Sequence, residues 1–281
     1  MTDERALLQR RYEQSSTFLR GSTSGEPSTS KRPYVTLTFA QTVDGYISGR
    51  KGRQLRLSGD ESMAMTHYLR TLHDAILVGV GTLLNDDPRL SARLLPQIPP
   101  PDSQPRPVIL DTQLRSPPTC RLLKNYQSGQ GRQPLFLCRT GLKGSEQGKS
   151  LEAAGATIVE VTGMDWPSIL SILHSLGVKR LMVEGGAQVI ESLFMARSTS
   201  SASGIGRAGD LIDQLIVTVS PNFAGSDSTG YKSPKWSDPV PDKTKKQASA
   251  EEEEQTGAAF QVRKKDWFGD DAVWIWTRAK T

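Results

Sequence analysis

Apolar and polar positions along the chain follow two periods. Short β-branched and aliphatic runs at Tyr34–Ala40, Ala75–Val80, Pro107–Leu110, Leu135–Cys138, Thr157–Val161, Arg180–Val183 and Gln214–Val219 predict strands. Between them Met65, Tyr68, Leu69 and Leu72 recur at spacings of three and four, which predicts a helix at about residues 61–73 capped by Ser58 or Asp60. Trp166–Leu176, ended by Gly177, and Ala187–Ala196 also read as amphipathic helices. Strands alternating with helices imply right-handed crossovers, hence an α/β fold with a mostly parallel central sheet flanked by helices. The tail breaks the rhythm: Phe260–Lys265 and Ala272–Thr277, joined through Phe268-Gly269-Asp270, predict a C-terminal antiparallel hairpin at the sheet edge. Trp274 and Trp276 alternate with Val273, Ile275 and Thr277, so both hairpin faces are large and one is expected to cover a neighbour or a dimer partner.

Other segments lack this patterning. Leu7, Leu8, Tyr12, Phe18 and Leu19 allow an N-terminal helix lying on the domain or on a partner subunit, and residues 21–32 are too polar and glycine-rich to pack. The expected division is an extension and linker over residues 1–32 and one domain over 33–281. Residues 198–209, rich in serine and glycine, and 226–257, with the charge blocks Lys243–Lys246 and Glu251–Glu254, are expected to be poorly ordered insertions.

Composition narrows the function classes. A chain of 281 residues buries a sizeable core. Its net charge of +5 comes from scattered basic residues interleaved with acids, without the aromatic-studded basic stripe of a nucleic-acid groove. No apolar run reaches a membrane span, and Met1-Thr-Asp-Glu-Arg has no hydrophobic signal region, so a cytoplasmic protein without a membrane partner is expected. Cys120 and Cys138 lie outside any CxxC or Cys/His cluster, which predicts two reduced thiols and no metal site. His67, His73 and His174 fall on helical stretches, in no Ser/His/Asp arrangement, and read as surface or packing residues.

Candidate chemistry lies where strands run into helices. In Arg180–Val189 an apolar run ends in Glu184, then Gly185 and Gly186, then a helical pattern. Such a turn lets a phosphate approach backbone N–H groups at a helix start, although the same glycines also suit a plain tight turn. In Asp74–Arg93 a second strand runs into Gly79-Val80-Gly81, a poor dinucleotide fingerprint, and then a polar cluster in which Asp86 and Asp87 precede Pro88 between Arg89 and Arg93.

Four stretches occur together in order: Ala40–Gly45, Leu77–Leu90, Pro107–Thr112 and Val183–Val189, followed by Asp213–Gly225. In that register the chain resembles the riboflavin-pathway diaminohydroxy-ribosylaminopyrimidinone phosphate reductases over about residues 33–281. The resemblance implies a dihydrofolate-reductase-like fold, a homodimer, and NADPH-dependent reduction of a ribosylamino group on a phosphorylated pyrimidine to a ribitylamino group. Residue by residue it places Thr82, Asp86, Thr112 and the turn Gly185, Gly186, Ala187, Gln188 and Val189 at the NADPH, and Arg70, Leu90, Arg93 and Glu184 at the substrate. Asp86 is the candidate for holding or protonating the reacting centre, and Arg139-Thr140 for the cofactor's 2′-phosphate. Thr38 stands where some bacterial members carry a lysine, and the H-x-E and P-C-x-x-C motifs of the bacterial zinc deaminase are absent from this sequence, so a reductase alone, as in the fungal type, is implied. The rival readings are a pteridine or dihydrofolate reductase on the same fold and a non-catalytic nucleotide-binding protein.

Overall fold

The computed structural model describes residues 2–21, 31–197, 207–233, 235–236, 256–257 and 260–278. In chain order the elements are α1 (Thr2–Leu19), β1 (Tyr34–Thr42), α2 (Asp60–Thr71), β2 (Ala75–Gly79), α3 (Val80–Asp86), β3 (Arg106–Leu110), α4 (Arg121–Gln127), β4 (Leu135–Cys138), α5 (Glu146–Ala153), β5 (Thr157–Glu160), α6 (Trp166–Ser175), β6 (Arg180–Gly185), α7 (Ala187–Met195), β7 (Gln214–Ser220), the two-residue pair β8 (Lys235–Trp236) and β9 (Thr256–Gly257), then β10 (Phe260–Phe268) and β11 (Asp271–Arg278). Nine strands form one sheet in the order β10-β11-β7-β1-β6-β2-β3-β4-β5. The seven from β7 to β5 pair in parallel, and β11 and β10 add the antiparallel hairpin expected at the edge.

Every residue of β2 and β4 is buried, as a parallel sheet covered on both faces requires. Alternate side chains feed two cores. One holds Met65 and Leu69 of α2, Leu83 of α3, Leu123 of α4 and Leu151 of α5 against Ile76, Ile109 and Phe136. The other holds Ile169 and Leu173 of α6 and Ile190 and Phe194 of α7 against Leu37, Leu77 and Val183. Helices α1–α5 therefore cover one face of the sheet, and α6 and α7 the other.

The structure corrects several expectations. Helices α3, α4 and α5 have no counterpart in the predicted pattern. The N-cap of α2 is Gly59, not Ser58 or Asp60, and the capping acceptor arrives from the hairpin: Asp271 Oδ2 accepts from the Gly59 N–H at 2.7 Å and from the Ser62 hydroxyl. Helix α1 takes the first of its two expected positions and lies on the domain, where Phe18 and Leu19 enter the first core and Arg11 reaches Glu61 at 2.9 Å. Arg32, assigned to the linker, is fixed by two bonds to Asp213.

The insertions also begin and end differently. Ala208 and Gly209 form a buried turn whose Gly209 N–H donates to Ala196 O, so the interruption before β7 ends by Arg207. Residues 226–233 are placed: Thr229 bridges to Ser48, and Tyr231 packs on Phe39 and Phe194 and donates to Gln41. The half-buried ring of Tyr231 anchors this short polar stretch. Residues 198–206 and most of 234–259 lie outside the described residues.

Both cysteines are free and buried. His73 is buried and bonded to Leu69 O and Thr36 Oγ1, His67 is buried, and His174 is half-buried. Among the described residues no helix is long and apolar enough to cross a membrane, and no group of three or more His, Cys, Asp or Glu is placed to hold a metal ion.

Candidate active site

From the C-terminal end of β2 the chain turns through α3 toward β3. From the neighbouring strand β6 it turns through α7, on the opposite face, toward β7. Adjacent strands whose connections leave in opposite directions open a crevice at their carboxyl ends, where open α/β sheets bind ligands. The cleft here has a volume of about 940 Å³ and is lined by Gly81, Thr82, Asn85 and Asp86 from α3, Glu184 from β6, and Gly186 through Ile190 at the start of α7. Phe39, Ala40, Gln54 through Ser58 and Thr229 close its other side.

The glycines divide by role. A Cβ on Gly185 meets Ile190 at 2.8 Å and one on Gly186 meets Thr82 Oγ1 at 2.9 Å, with φ of 87° and 78°. Both are needed by the protein's own backbone and packing, and Gly185 does not line the cleft. A Cβ on Gly79 meets Val189 at 2.8 Å, which brings α3 and α7 close together. A Cβ on Gly81 meets nothing, although Gly81 lines the cleft. A glycine inside a helix costs about 1 kcal/mol relative to alanine, so the open space beside Gly81 is kept against helix propensity.

The first turn of α7 has no side-chain cap, and the first intrahelical bond at this end runs from Ile190 N to Gly186 O. The N–H groups of Ala187, Gln188 and Val189 thus remain as donors beside the cleft, at the positive end of the helix. Thr82 donates to Gly185 O at 3.3 Å and joins α3 to this turn.

Asp86 ends α3, half-buried. Its Oδ1 is shielded from solvent and has no hydrogen-bond partner among the described residues, and burial raises its carboxyl pKa above the usual value. Its neighbour Asp87 turns outward in the left-handed region and accepts from Arg121 N at 2.7 Å.

Arg70 and Glu184, expected as separate substrate contacts, bind each other. Arg70 Nε and Nη2 reach the two carboxylate oxygens at 2.7 Å each, and Nη1 donates to Ser91 O at 2.9 Å. Glu184 still faces the cleft, whereas Arg70 is buried behind it. Arg93 is exposed at the surface and lies outside the cleft lining; partial burial and then Arg70 and Arg89 lower its pKa, so an anion there would relieve crowded positive charge. Leu90 is core, 3% exposed, with φ of 46°. Thr112 lies after β3, outside the cleft lining, and its carbonyl accepts from Arg139 N at 3.3 Å. Thr38 is buried and also outside the lining.

Two aspartates of the recurring motifs serve the scaffold. Asp44 accepts from Gly225 N at 2.9 Å and Ala224 N at 3.2 Å and joins the turn after β1 to the loop after β7. Asp111 accepts from Arg115 N, Ser116 N and the Ser116 hydroxyl and shapes the loop after β3. Sequence reasoning missed Asn85 and the wall Gln54–Ser58. Only the carboxamide of Asn85 beside Asp86 offered a hint, because the wall has neither periodicity nor a motif.

The RibD C-terminal domain profile matches residues 33–238. The 2,5-diamino-6-ribosylamino-4(3H)-pyrimidinone 5′-phosphate reductase of Debaryomyces hansenii is 35% identical over 218 residues, covering 70% of this chain and 78% of that protein. The protein of the same name from Archaeoglobus fulgidus is 34% identical over 202 residues, covering 69% and 83%. Among solved structures, a riboflavin biosynthesis reductase of Saccharomyces cerevisiae superposes with a TM-score of 0.66 at 26% identity, covering 94% of this chain and 99% of that one. A profile match over most of the chain, relatives above 30% identity and a shared fold agree: the chain belongs to the RibD C-terminal domain family.

Proposed function

We propose that this protein reduces 2,5-diamino-6-ribosylamino-4(3H)-pyrimidinone 5′-phosphate to its ribitylamino product with NADPH; its relatives are named as reductases of that pyrimidinone phosphate. The observation that carries the reading is the crevice between β2 and β6, where free helix-start donors, the half-buried Asp86 and a tethered glutamate line one space. The residues fit the cofactor. The N–H groups of Ala187, Gln188 and Val189 suit its pyrophosphate, and Gly81 leaves room for its approach. Thr82 and Asp86 line the same cleft, and Thr112 and Arg139, joined after β3 and β4, would be the residues to hold the 2′-phosphate. Bound there, the nicotinamide supplies a hydride.

The substrate's ribosylamino group opens to an imine, C1′ takes the hydride, and the imine nitrogen takes a proton. Asp86, its carboxyl pKa raised by burial, holds that proton. Glu184, with two carboxylate oxygens that Arg70 does not saturate, accepts from the pyrimidine amino groups. Arg93 takes the 5′-phosphate, and Leu90 fixes the loop that carries it. A homodimer in which a second copy covers the outer strand β10, with its exposed Val262 and Trp267, belongs to the same reading.

The test is NADPH consumption on mixing the protein with the ribosylamino-pyrimidine phosphate. Oxidation is expected with this substrate and not with dihydrofolate. No oxidation with the pyrimidine, or turnover of dihydrofolate instead, overturns the assignment.

A further inference from the structure

The loop from Asp87 to Arg93 is strained and tightly held. Asp87 and Leu90 have φ of 39° and 46°, left-handed values that cost energy in residues with a Cβ and persist only where the surroundings impose them. Three buried side chains hold the segment that follows Leu90. Gln104 brackets Ala92 by accepting from its N–H at 2.8 Å and donating to its carbonyl at 3.1 Å. Arg70 donates to Ser91 O. His67, one helical turn before Arg70 on α2 and fully buried, accepts the Arg93 N–H on Nδ1 at 2.9 Å.

The His67 bond has only one polarity. Its donor is a backbone N–H, so Nδ1 must present a lone pair and the ring is the neutral tautomer with its proton on Nε2. Burial and the neighbouring Arg70 and Arg93 favour the neutral form in the same way, holding the pKa at about 2. That Nε2–H is buried with no hydrogen-bond partner among the described residues. For the fold alone this is a poor choice, because an apolar side chain of similar size avoids the unsatisfied donor. The hydrogen bond that His67 accepts fixes the backbone of Arg93, a residue whose pKa burial, Arg70 and Arg89 lower and Glu184 raises.

We infer that His67 is a positioning residue for substrate binding: its Nδ1 fixes the Arg93 backbone, and so aims the Arg93 guanidinium at the substrate's phosphate. The inference rests on the proposed reaction for the identity of that anion, while the clamp itself does not. A neutral ring is essential to it, since an imidazolium has no lone pair to offer and would add a third charge beside Arg70 and Arg93.

The test compares His67→Leu with His67→Gln, whose amide oxygen can replace Nδ1 as acceptor. His67→Leu is expected to raise KM for the phosphorylated pyrimidine at least tenfold. It also narrows the preference over the dephosphorylated compound and leaves the NADPH Kd within twofold. His67→Gln is expected to recover most of the lost affinity. Amide hydrogen exchange of Arg93, which needs no substrate, should quicken at least tenfold in His67→Leu and return toward the wild-type rate in His67→Gln. A purely structural role predicts parallel loss of NADPH and substrate affinity and of thermal stability, with no recovery of phosphate preference by glutamine; that result overturns the inference. Unchanged KM and exchange in a folded His67→Leu protein do so as well. If the wild type fails to turn over the pyrimidine, the reaction assignment falls, and the exchange result still decides the clamp.

Discussion

Arg70 on α2 and Glu184 at the end of β6 stand 114 residues apart in sequence and meet through two parallel hydrogen bonds of 2.7 Å, with 10% and 16% of their side chains exposed. A paired fork of this kind fixes both planes, so the carboxylate enters the cleft in one orientation. Removing one partner leaves the other charge poorly solvated, which costs about 3 kcal/mol at such sites. Arg70→Met is therefore expected to destabilise the fold by roughly that amount. A double-mutant cycle with Glu184→Met in urea denaturation should return a coupling energy of about 2 kcal/mol, and a value below about 0.5 kcal/mol would mean that solvent replaces the pair.

That pair marks where the sequence stops being legible. The strands were readable because buried parallel strands are continuous apolar runs, and β2, β4 and β6 appear within two residues of their observed limits. Helices α3 and α4 have seven residues each and α5 has eight, too few turns for a 3.6-residue period to show, and packing against the sheet rather than propensity forms them. Thr82, Asp86, Glu184 and the start of α7 were found from motif register and do meet at one cleft. That Arg70 is bound to Glu184 depends on bringing α2 beside the end of β6, and that His67 holds the Arg93 backbone depends on folding the loop after α3 onto α2, neither of which a local pattern encodes. The same holds for Asp271 capping α2 across more than two hundred residues.

Gly81 separates ligand demands from fold demands. Gly185 and Gly186 are constrained by φ and by contacts within the protein, so substitution there confounds binding with folding. Gly81→Ala instead adds a methyl group where nothing stands within 4 Å, in a helix that favours alanine. Thermal stability should hold or rise, while NADPH affinity falls about tenfold, or about 1.4 kcal/mol, in a fluorescence titration. Unchanged affinity would place the cofactor away from α3.

His73 gives the fold an acid sensitivity separate from catalysis. Burial first of all lowers its pKa from 6.5 to about 4, while Leu69 O and Thr36 hold the ring in place. The unfolded chain takes up a proton as pH falls through 6.5 and the folded one does so only near 4, so the stability is present above 6.5 and lost on the way to 4. The loss is roughly 3 kcal/mol at 1.36 kcal/mol per pKa unit. Urea midpoints between pH 7 and pH 4 should fall more steeply for the wild type than for His73→Gln, which does not titrate. Parallel curves would show that the ring titrates as if exposed.

Asp86 is the residue on which the chemical step depends in the proposed reaction. A carboxylate with one oxygen buried and unpaired is poorly stabilised as an anion, which is why its pKa rises, and a raised pKa makes it a better proton carrier near neutrality. The folded-state shift is upward, so this group favours folding below the ordinary carboxylate range, and the advantage is lost as pH rises through the raised value. Asp86→Asn removes the buried charge, and the variant should be at least as stable as the wild type at pH 7. The same substitution keeps the size and most of the hydrogen-bonding shape but cannot exchange a proton, so hydride transfer should slow about 10²-fold or more. Single-turnover rates with both ligands saturating separate that from weaker binding. A near-normal rate in a stable Asp86→Asn protein would reduce the residue to positioning the cofactor and leave the proton to solvent or to the substrate.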